Sequence, residues 1–422
     1  MISEGLKKQI SVFLTFVIFI DFMGVATVVT LFPHLLLSAN GMFSNAITEG
    51  NKLILMGIFL AIYPLGQFFG ASALGKLSDY YGRKKILIIT LVGTFVGFLG
   101  SAISVEISSA ALLFVSRLLA GLSAGNVSVA QASLLDISTA ETKSRYVSYG
   151  QMAMGSAYIV GPVIGAWLSQ STVVSWFNES TPFWFFSAIL IVLLIITFTT
   201  YQETQMAPKR EKINLLQGFQ QIYQALGDKK LNKAFLVWLV FVSGWWLFES
   251  FMPTFLLQNF HFTTVQIGNL LAFNGALYAA FQYLIVQKVA KKMSPVTMAR
   301  ISIGIAGIAI ISIGIAHNTF QLYMGMIAFV LTMGFSIPGI ITHIANMAGD
   351  KDQGQAMGMV NSIQAFATVL VMLLGGYINS INSHLSVIAG GAVVILSWLI
   401  FIAYFSIKKM TNHALDITNT AI

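Results

Sequence analysis

Residues 18–33 read IFIDFMGVATVVTLFP, and one carboxylate, Asp21, interrupts an otherwise apolar segment. The surrounding apolar run, 10–37, is about 28 residues long, whereas roughly 20 helical residues cross a membrane core of about 30 Å. That length favours a retained first membrane helix over a cleaved signal peptide. Because an ionisable group inside a membrane is unfavourable, the segment predicts a spanning helix with one functional acid.

The composition indicates which solvent surrounds the chain. Hydrophobic residues make up 56% of the 422 residues, and charged residues make up only 9%. A water-soluble domain with this composition would expose large apolar patches. The absence of cysteine excludes disulfides, thiolate metal ligands and thiol catalysis. We therefore expect a membrane protein with many spans.

Breaks rich in glycine, proline, asparagine and charge divide the sequence into twelve predicted spans. Their limits are 10–38, 51–74, 85–104, 109–134, 146–169, 182–201, 234–257, 266–287, 297–316, 320–346, 355–378 and 385–407. The sequence thus predicts an all-α membrane protein with twelve transmembrane helices in two pseudo-symmetric six-helix bundles. The bundles are expected at 1–201 and 234–422, joined by a polar cytoplasmic linker at 202–233.

Lysine and arginine are distributed unevenly about these spans. With a cytoplasmic N-terminus, every one of the 23 basic residues except Lys52 and Arg117 lies in a cytoplasmic segment. The positive-inside rule therefore predicts a multi-pass protein of the bacterial inner membrane, with both termini cytoplasmic. Because the net charge of +8 reflects this topology, we expect no nucleic-acid partner.

The connection between spans two and three, 75–87, reads GKLSDYYGRKKIL. Gly75 would let two helices approach closely, and Gly82 would allow a tight turn. Asp79 would accept hydrogen bonds from a helix N-terminus or from Arg83. The order of residues resembles the cytoplasmic signature of the major facilitator superfamily, G-x-L-(A/S)-D-x-x-G-R-(K/R). The resemblance implies a latch on the cytoplasmic side, whereas the alternative is a basic anchor that fixes only the topology. The implied latch residues are Gly75, Asp79, Gly82, Arg83 and Lys84.

Three other segments resemble parts of the same superfamily. RLLAGLSAGN, which begins at Arg117, is similar to its intramembrane arginine signature. Gly161, Pro162 and Gly165 match an antiporter signature ending in G-P-x-x-G-G, although alanine replaces the last glycine. DFMG, residues 21–24 of span one, resembles part of the first helix of tetracycline-type exporters. These matches imply the fold of the superfamily's twelve-helix drug/proton antiporters and transport by alternating access.

Three charged residues, Asp21, Arg117 and Glu249, lie deep in the predicted spans, and His343 is a further titratable group. At 1.5 Å per residue, Asp21 and Arg117 both lie roughly 17–18 Å from the cytoplasmic surface. We expect them to be coupled, because burial disfavours an ionised carboxylate and a nearby guanidinium favours it. The alternative is a permanent structural ion pair. For His343, the alternative to proton handling is a hydrogen-bonded core position. We predict that these four residues couple proton flow to transport.

Candidate substrate contacts follow from polar and aromatic stripes at helical spacing. Trp245 and Glu249 share one face of span seven, which suits a lipophilic cation through cation–π contact and charge. Ordinary packing with an outer belt of tryptophans is the alternative. Amides on other spans are expected to face inward, toward a ligand or a neighbouring helix. The predicted contacts are Gln151, Tyr158, Trp245, Glu249, Asn274, Tyr278, Asn361 and Gln364.

The sequence contains no phosphate-binding loop, metal-ligand cluster or nucleophile–base motif, so we expect neither an enzyme nor a bound metal or cofactor. The proton gradient is the expected energy source. We predict a secondary transporter of a small organic molecule, and specifically a proton-coupled exporter of lipophilic or cationic compounds. Two alternatives remain, a proton symporter that imports a nutrient or metabolite and a non-transporting receptor or scaffold. The expected partners are the substrate, protons and the lipid bilayer, with the protein itself a monomer.

Overall fold

The computed structural model describes residues 4–38, 41–43, 46–139, 142–204, 216–349 and 353–419. These residues form helices, turns and short loops, and none of them lies in a β-strand. The helices up to the linker are α1 Glu4–Leu37, α2 Glu49–Tyr81, α3 Arg83–Glu106, α4 Ala110–Ser123, α5 Asn126–Asp136, α6 Lys143–Leu168, α7 Thr181–Thr199 and α8 Gln217–Gly227. The prediction of an all-α protein is therefore confirmed.

The remaining helices follow without long interruptions. They are α9 Asn232–Phe260, α10 Thr264–Phe281, α11 Gln287–Ala290, α12 Pro295–Gly314, α13 Thr319–Ala348, α14 Gln353–Ile381 and α15 Ser383–Asn419. A π-helical turn, Gln282–Val286, joins α10 to α11. Polar caps begin several of these helices, because a side-chain oxygen can satisfy the first free main-chain N–H groups. Ser294, for example, accepts the N–H of Thr297 at the start of α12.

Eleven helical segments of the described chain are long and apolar enough to cross a membrane, with α4 and α5 counted as one segment. The fifth predicted span, 146–169, is not among these eleven segments, but it is helical as α6. A helix thus occupies each of the twelve predicted spans, and the chain is a multi-pass membrane protein.

Two connections differ from the sequence prediction. Helix α2 continues through the predicted loop to Tyr81, so Gly82 alone separates it from α3. The linker was expected to be polar throughout, yet it contains the helix α8, whose apolar residues fall on one face. Residues 205–215 of that linker lie outside the described residues.

Packing divides the chain into two compact units. Unit 1 is Met1–Gly218, Pro253–Ala276 and Met372–Ser383, and unit 2 is Phe219–Met252, Leu277–Val371 and His384–Ile422. Neither unit is a single stretch of sequence, whereas the predicted bundles at 1–201 and 234–422 are. The bundle limits therefore stay a prediction.

Within unit 1, α4 lies in close backbone contact with α2 and α3. A Cβ atom on Gly70 of α2 would lie 2.0 Å from the carbonyl oxygen of Leu122. On the opposite side, a Cβ atom on Gly97 of α3 would lie 2.7 Å from the Cβ of Ala120. Small residues allow such approaches between membrane helices. This packing fixes α4, the helix that carries Arg117.

Candidate functional site

Asp21 lies in the middle of α1 and is only 5% exposed. One carboxylate oxygen, Oδ1, accepts a hydrogen bond from Asn126 Nδ2 at 2.9 Å. The other oxygen, Oδ2, has no hydrogen-bond partner among the described residues. The carboxylate is therefore buried, with Asn126 holding Oδ1 and the Tyr63 hydroxyl as a second neighbouring donor.

Arg117 is buried between two aromatic rings. Its guanidinium carbon lies 4.8 Å from the ring centre of Tyr63 and 5.4 Å from that of Phe98. Its Nη1 atom lacks a hydrogen-bond partner within the part of the chain that the structure describes. A desolvated cation is stabilised by the faces of aromatic rings, so the two rings hold Arg117 in place without neutralising its charge.

The structure brings Asp21 and Arg117 into one electrostatic cluster. Between the described residues, no nitrogen of Arg117 comes within 4.0 Å of the Asp21 carboxylate, so they do not form the permanent ion pair of the alternative hypothesis. Tyr63 interacts with both charges, and Tyr158 interacts with Tyr63. With Asn126, these residues form the Asp21 cluster: Asp21, Tyr63, Arg117, Asn126 and Tyr158.

Two members of this cluster were not predicted from the sequence. Tyr63 is an aromatic residue in an apolar span, and nothing in the sequence distinguishes it. Asn126 ends the quoted segment RLLAGLSAGN, and an amide inside a span was an available signal. Tyr158, which was predicted as a substrate contact, is 38% exposed and packs on Phe22 with ring centres 5.8 Å apart. It therefore lies at the accessible edge of the cluster.

The antiporter-like segment of α6 packs closely against α1. A Cβ atom on Gly165 would lie 2.5 Å from Cγ2 of Thr27. Thr27 Oγ1 also donates a hydrogen bond to the carbonyl oxygen of Gly161 at 2.8 Å. The predicted close packing is thus confirmed at both glycines. On another face of α6, a Cβ atom on Gly268 would lie 2.7 Å from the carbonyl oxygen of Pro162, which brings α10 equally close.

The latch-like residues surround the turn at Gly82, whose φ of +98° favours glycine. Glu203 accepts the main-chain N–H groups of Arg83 and Lys84 at 2.9 and 3.0 Å. A Cβ atom on Gly82 would lie 2.6 Å from Oε2 of Glu203. A carboxylate thus binds the positive N-terminal end of α3, a role that the sequence prediction had given to Asp79. Glu203 was not predicted from the sequence.

Arg83 connects this turn to two acids. It contacts Asp79 at 2.6 Å and Asp136, at the end of α5, at 2.8 Å. The proposed Asp79–Arg83 interaction is therefore present. The role predicted for Gly75 is wrong, because a Cβ atom there would meet Ser128 only at an ordinary 3.9 Å. All of these contacts lie within unit 1, so the opening of a latch stays a prediction.

Two neighbours complete the turn. Lys84 Nζ donates to the carbonyl oxygen of Phe198 at 3.1 Å. Tyr201, which follows α7, donates its hydroxyl to Ser133 at 2.9 Å, and burial raises the pKa of Tyr201. A neutral hydroxyl is what this hydrogen bond requires. The end of α7 is thereby tied to both α3 and α5.

Replacing Glu203 with alanine is expected to destabilise unit 1 modestly. The change removes two hydrogen bonds from the start of α3 and the anion at its positive end, with an expected loss of about 1–2 kcal/mol in the free energy of unfolding. Denaturant unfolding of the purified protein in detergent measures this loss. Glu4→Ala, which removes a carboxylate that is 90% exposed beside Lys7, is the control and should change little. Equal stability of the two variants would contradict a capping role for Glu203.

In unit 2, Trp245 Nε1 donates to Glu249 Oε1 at 3.3 Å within α9. Trp245 also packs on Trp246, with ring centres 5.5 Å apart. Trp238, further along the same stripe, is fully buried and donates its Nε1 to the carbonyl oxygen of Val360 at 3.1 Å. The stripe therefore divides into a packed part at Trp238 and a half-buried tryptophan–carboxylate pair at Trp245 and Glu249.

The other predicted residues of unit 2 have varied surroundings. His343 lies in a small apolar pocket of α9, α13 and α15, with its ring centre 6.4 Å from that of Phe401. Tyr278 accepts a hydrogen bond from Gln282 at 2.9 Å. Asn361 is exposed and Gln364 is half-buried on α14. His343 thus has the surroundings of a core position, and its proton-handling role stays a prediction.

The remaining predicted contacts lie in unit 1. Gln151 is exposed on α6, about two turns before Tyr158, and Asn274 is half-buried on α10. Gly155 lies between Gln151 and Tyr158 on α6, and a Cβ atom there would meet nothing within 4 Å. The face of α6 that carries Gln151, Gly155 and Tyr158 is therefore open, which a substrate contact requires.

Comparison with known proteins agrees with this architecture. The Major Facilitator Superfamily pattern matches residues 14–319 and 234–417. The tetracycline resistance protein, class H, of Pasteurella multocida is 25% identical over 97% of this chain and 99% of its own. The quinolone resistance protein NorA of Staphylococcus aureus (strain COL) is 25% identical over 93% of this chain and 96% of its own. A solved D-xylose–proton symporter has the same fold, with a TM-score of 0.74 at 16% identity, covering 94% of this chain and 97% of its own. The chain therefore belongs to the major facilitator superfamily, a family of membrane transporters.

Proposed function

We propose that this protein exports lipophilic or cationic small molecules in exchange for protons. The observation that carries the proposal is the buried Asp21 carboxylate, with Oδ1 held by Asn126 and with Arg117 and Tyr63 as its other polar neighbours. Resistance proteins for tetracycline and quinolone are among the relatives, which supports drug-like substrates. The proton gradient would supply the energy, without a cofactor.

Asp21 is the proposed proton carrier. A carboxylic acid in a membrane interior is readily held in either protonation state when a fixed cation balances burial. Arg117 provides that cation, and Tyr63 and Phe98 keep it from moving onto the carboxylate. Entry of a cationic substrate near Tyr158 would favour ionised Asp21 and release its proton. Return of a proton would then favour release of the substrate.

This exchange requires Asp21 to be accessible from one side of the membrane when it takes up a proton and from the other side when it releases the proton. Alternating access would expose Asp21 to the outer, acidic side for proton uptake and to the cytoplasm for proton release. We place both termini and the Gly82 turn in the cytoplasm, because nearly all basic residues lie at that end. The proposed location is the bacterial inner membrane, and the proposed functional unit is a monomer.

The pair of Trp245 and Glu249 is the proposed contact for a cationic group in unit 2. The indole is oriented by its hydrogen bond to the carboxylate, and both groups are half-buried. A ring face next to an anion in partly dehydrated surroundings attracts an organic cation. A neutral ligand would gain only from the ring.

Replacing Glu249 with glutamine is therefore expected to weaken the binding of a cation selectively. The Kd for ethidium should rise about tenfold, which corresponds to ~1.4 kcal/mol, while the Kd for a neutral dye of similar size should change less than twofold. Fluorescence titration of the purified protein measures both. Glu49→Gln, at a carboxylate that is 71% exposed, is the matched control. Equal weakening of both dyes would indicate general destabilisation and contradict the proposed contact.

Transport in proteoliposomes with an imposed pH gradient tests the proposed function. Ethidium, a neutral dye and amino acids are offered in turn, with the gradient in either direction. Accumulation of ethidium on the acidic side would support exchange with protons. Accumulation of an amino acid on the alkaline side would instead support the import hypothesis. No gradient-dependent movement of any compound would support a receptor or scaffold.

A further inference from the structure

The fourth predicted span is interrupted beside the Asp21 cluster. Helix α4 ends at Ser123 and α5 begins at Asn126, so residues 124–125 break the helix. The first main-chain N–H groups of a helix lack acceptors within it. Asn126 Oδ1 accepts one of them, the N–H of Val127, at 2.8 Å. The side chain of Asn126, the first residue of α5, thus also binds a main-chain N–H group at the start of that helix.

The same side chain contacts the proposed proton carrier. Because Val127 supplies an N–H group, the amide atom facing it must be oxygen, which leaves the NH₂ group of Asn126 for Asp21 Oδ1. Asn126 is only 1% exposed, so water does not compete for this bond. One amide therefore links the carboxylate on α1 to the start of α5.

The strength of this link depends on the ionisation of Asp21. An N–H donor binds an ionised carboxylate about twice as strongly as a neutral acid. Loss or gain of one proton at Asp21 therefore tightens or loosens the hold of α1 on the start of α5. Helix α4 is fixed by its contacts at Gly70 and Gly97, and a Cβ atom on Gly125 would lie 2.5 Å from the Cβ of Leu74. A response to Asp21 would therefore begin at Asn126, the first residue of α5, which contacts the carboxylate itself.

We propose that Asn126 is a positioning residue that transmits the protonation of Asp21 to the start of α5. This inference rests on the proposed proton exchange and adds its route into the fold. Ionised Asp21 holds the start of α5 against α1 through Asn126, and protonation of Asp21 loosens that hold.

Other groups also act on Asp21. Arg117 faces it from α4, Tyr63 faces it from α2, and Tyr158 of α6 acts through Tyr63. Removing the Asn126 donor leaves Arg117 in place, so ionised Asp21 loses only part of its stabilisation. The proton should then remain bound up to a higher pH.

Two substitutions of Asn126 test this proposal. Asn126→Asp keeps the size and an oxygen that can accept the N–H of Val127, but it replaces the donor to Asp21 with a second acid. Asn126→Ala removes both contacts. The measurement is the pH dependence of proton release when ethidium is added to the purified protein in nanodiscs. Relative to the natural protein, the midpoint should rise by about one pH unit in Asn126→Ala, a tenfold change in proton affinity. It should rise further in Asn126→Asp, because two neighbouring carboxylates share one proton.

Asn259→Ala is the matched control. It removes another partly buried amide, whose Nδ2 donates to Ser383 Oγ at 2.7 Å at the end of α9. Its midpoint should equal that of the natural protein. If Asn126→Ala does not fold, the midpoint of proton release in Asn126→Asp alone tests the proposal.

Two results would overturn the proposal in different ways. If the natural protein releases protons through Asp21 but neither Asn126 variant moves the midpoint, Asn126 has no positioning role and the proposed function stands. If the natural protein releases no proton on ethidium binding, the proposed function and this inference fail together.

Discussion

Replacing Asp21 with asparagine should abolish transport driven by a pH gradient. Asparagine has the same size and retains an oxygen that can accept the hydrogen bond from Asn126, so the fold should persist. It cannot gain or lose a proton at neutral pH. Gradient-driven accumulation of ethidium in proteoliposomes should fall by about two orders of magnitude, the range typical for loss of a positioned proton-transfer group. Movement of ethidium down its own concentration gradient, without a pH gradient, should be retained.

The control for this prediction is Asp228→Asn. Asp228 accepts main-chain N–H groups of Lys230 and Leu231 in the connection before α9, and asparagine can do the same. This variant should accumulate ethidium normally. If Asp21→Asn also accumulates ethidium against its gradient at the natural rate, Asp21 is not the proton carrier.

Replacing Arg117 should have the second largest effect, and the size should depend on the substitute. Arg117→Gln leaves the buried Asp21 without the cation that interacts with it, and an uncompensated buried charge is strongly unfavourable. We expect a loss of transport of roughly a hundredfold or more. Arg117→Lys retains the charge but not the planar group that stacks on Tyr63 and Phe98, so we expect a loss of about tenfold.

Initial rates of ethidium transport at matched protein amounts measure both variants. Arg145→Lys is the control, because it makes the same change at an exposed arginine that contacts Tyr149 at the surface. A rate for Arg117→Lys equal to the natural rate would show that charge alone is sufficient. Natural rates for both variants would contradict any role for Arg117 in the exchange.

The sequence was informative where a residue type conflicts with its surroundings. Asp21 and Arg117 could be identified because charges inside apolar spans are unfavourable, and helical rise alone placed them at one depth. Gly161 and Gly165 could be identified because small residues four apart indicate close helix contact. Asp79 and Arg83 have opposite charges and flank one tight turn, which made their contact predictable.

The sequence was less informative where partners come from distant segments. Tyr63 and Asn126 complete the Asp21 cluster only because α2 and α5 pack against α1. The residue pattern within one helix does not predict which other helices pack against it. Glu203 lies 120 residues beyond Arg83, whose N–H group it caps. Gly75 was misjudged for the same reason, since its open surroundings depend on where α5 lies. The break in span four, between α4 and α5, was also not predicted, because Gly125 alone does not distinguish a break from a helical contact.

The most direct test of the proposed exchange is proton movement itself. Protein is reconstituted into liposomes that contain a pH-sensitive dye, and an ethidium gradient is imposed without a pH gradient. The expected result is proton flow opposite to ethidium in the natural protein and no proton flow in Asp21→Asn, although ethidium still moves. Proton flow of natural size in Asp21→Asn, or ethidium movement without any proton flow in the natural protein, would contradict the account.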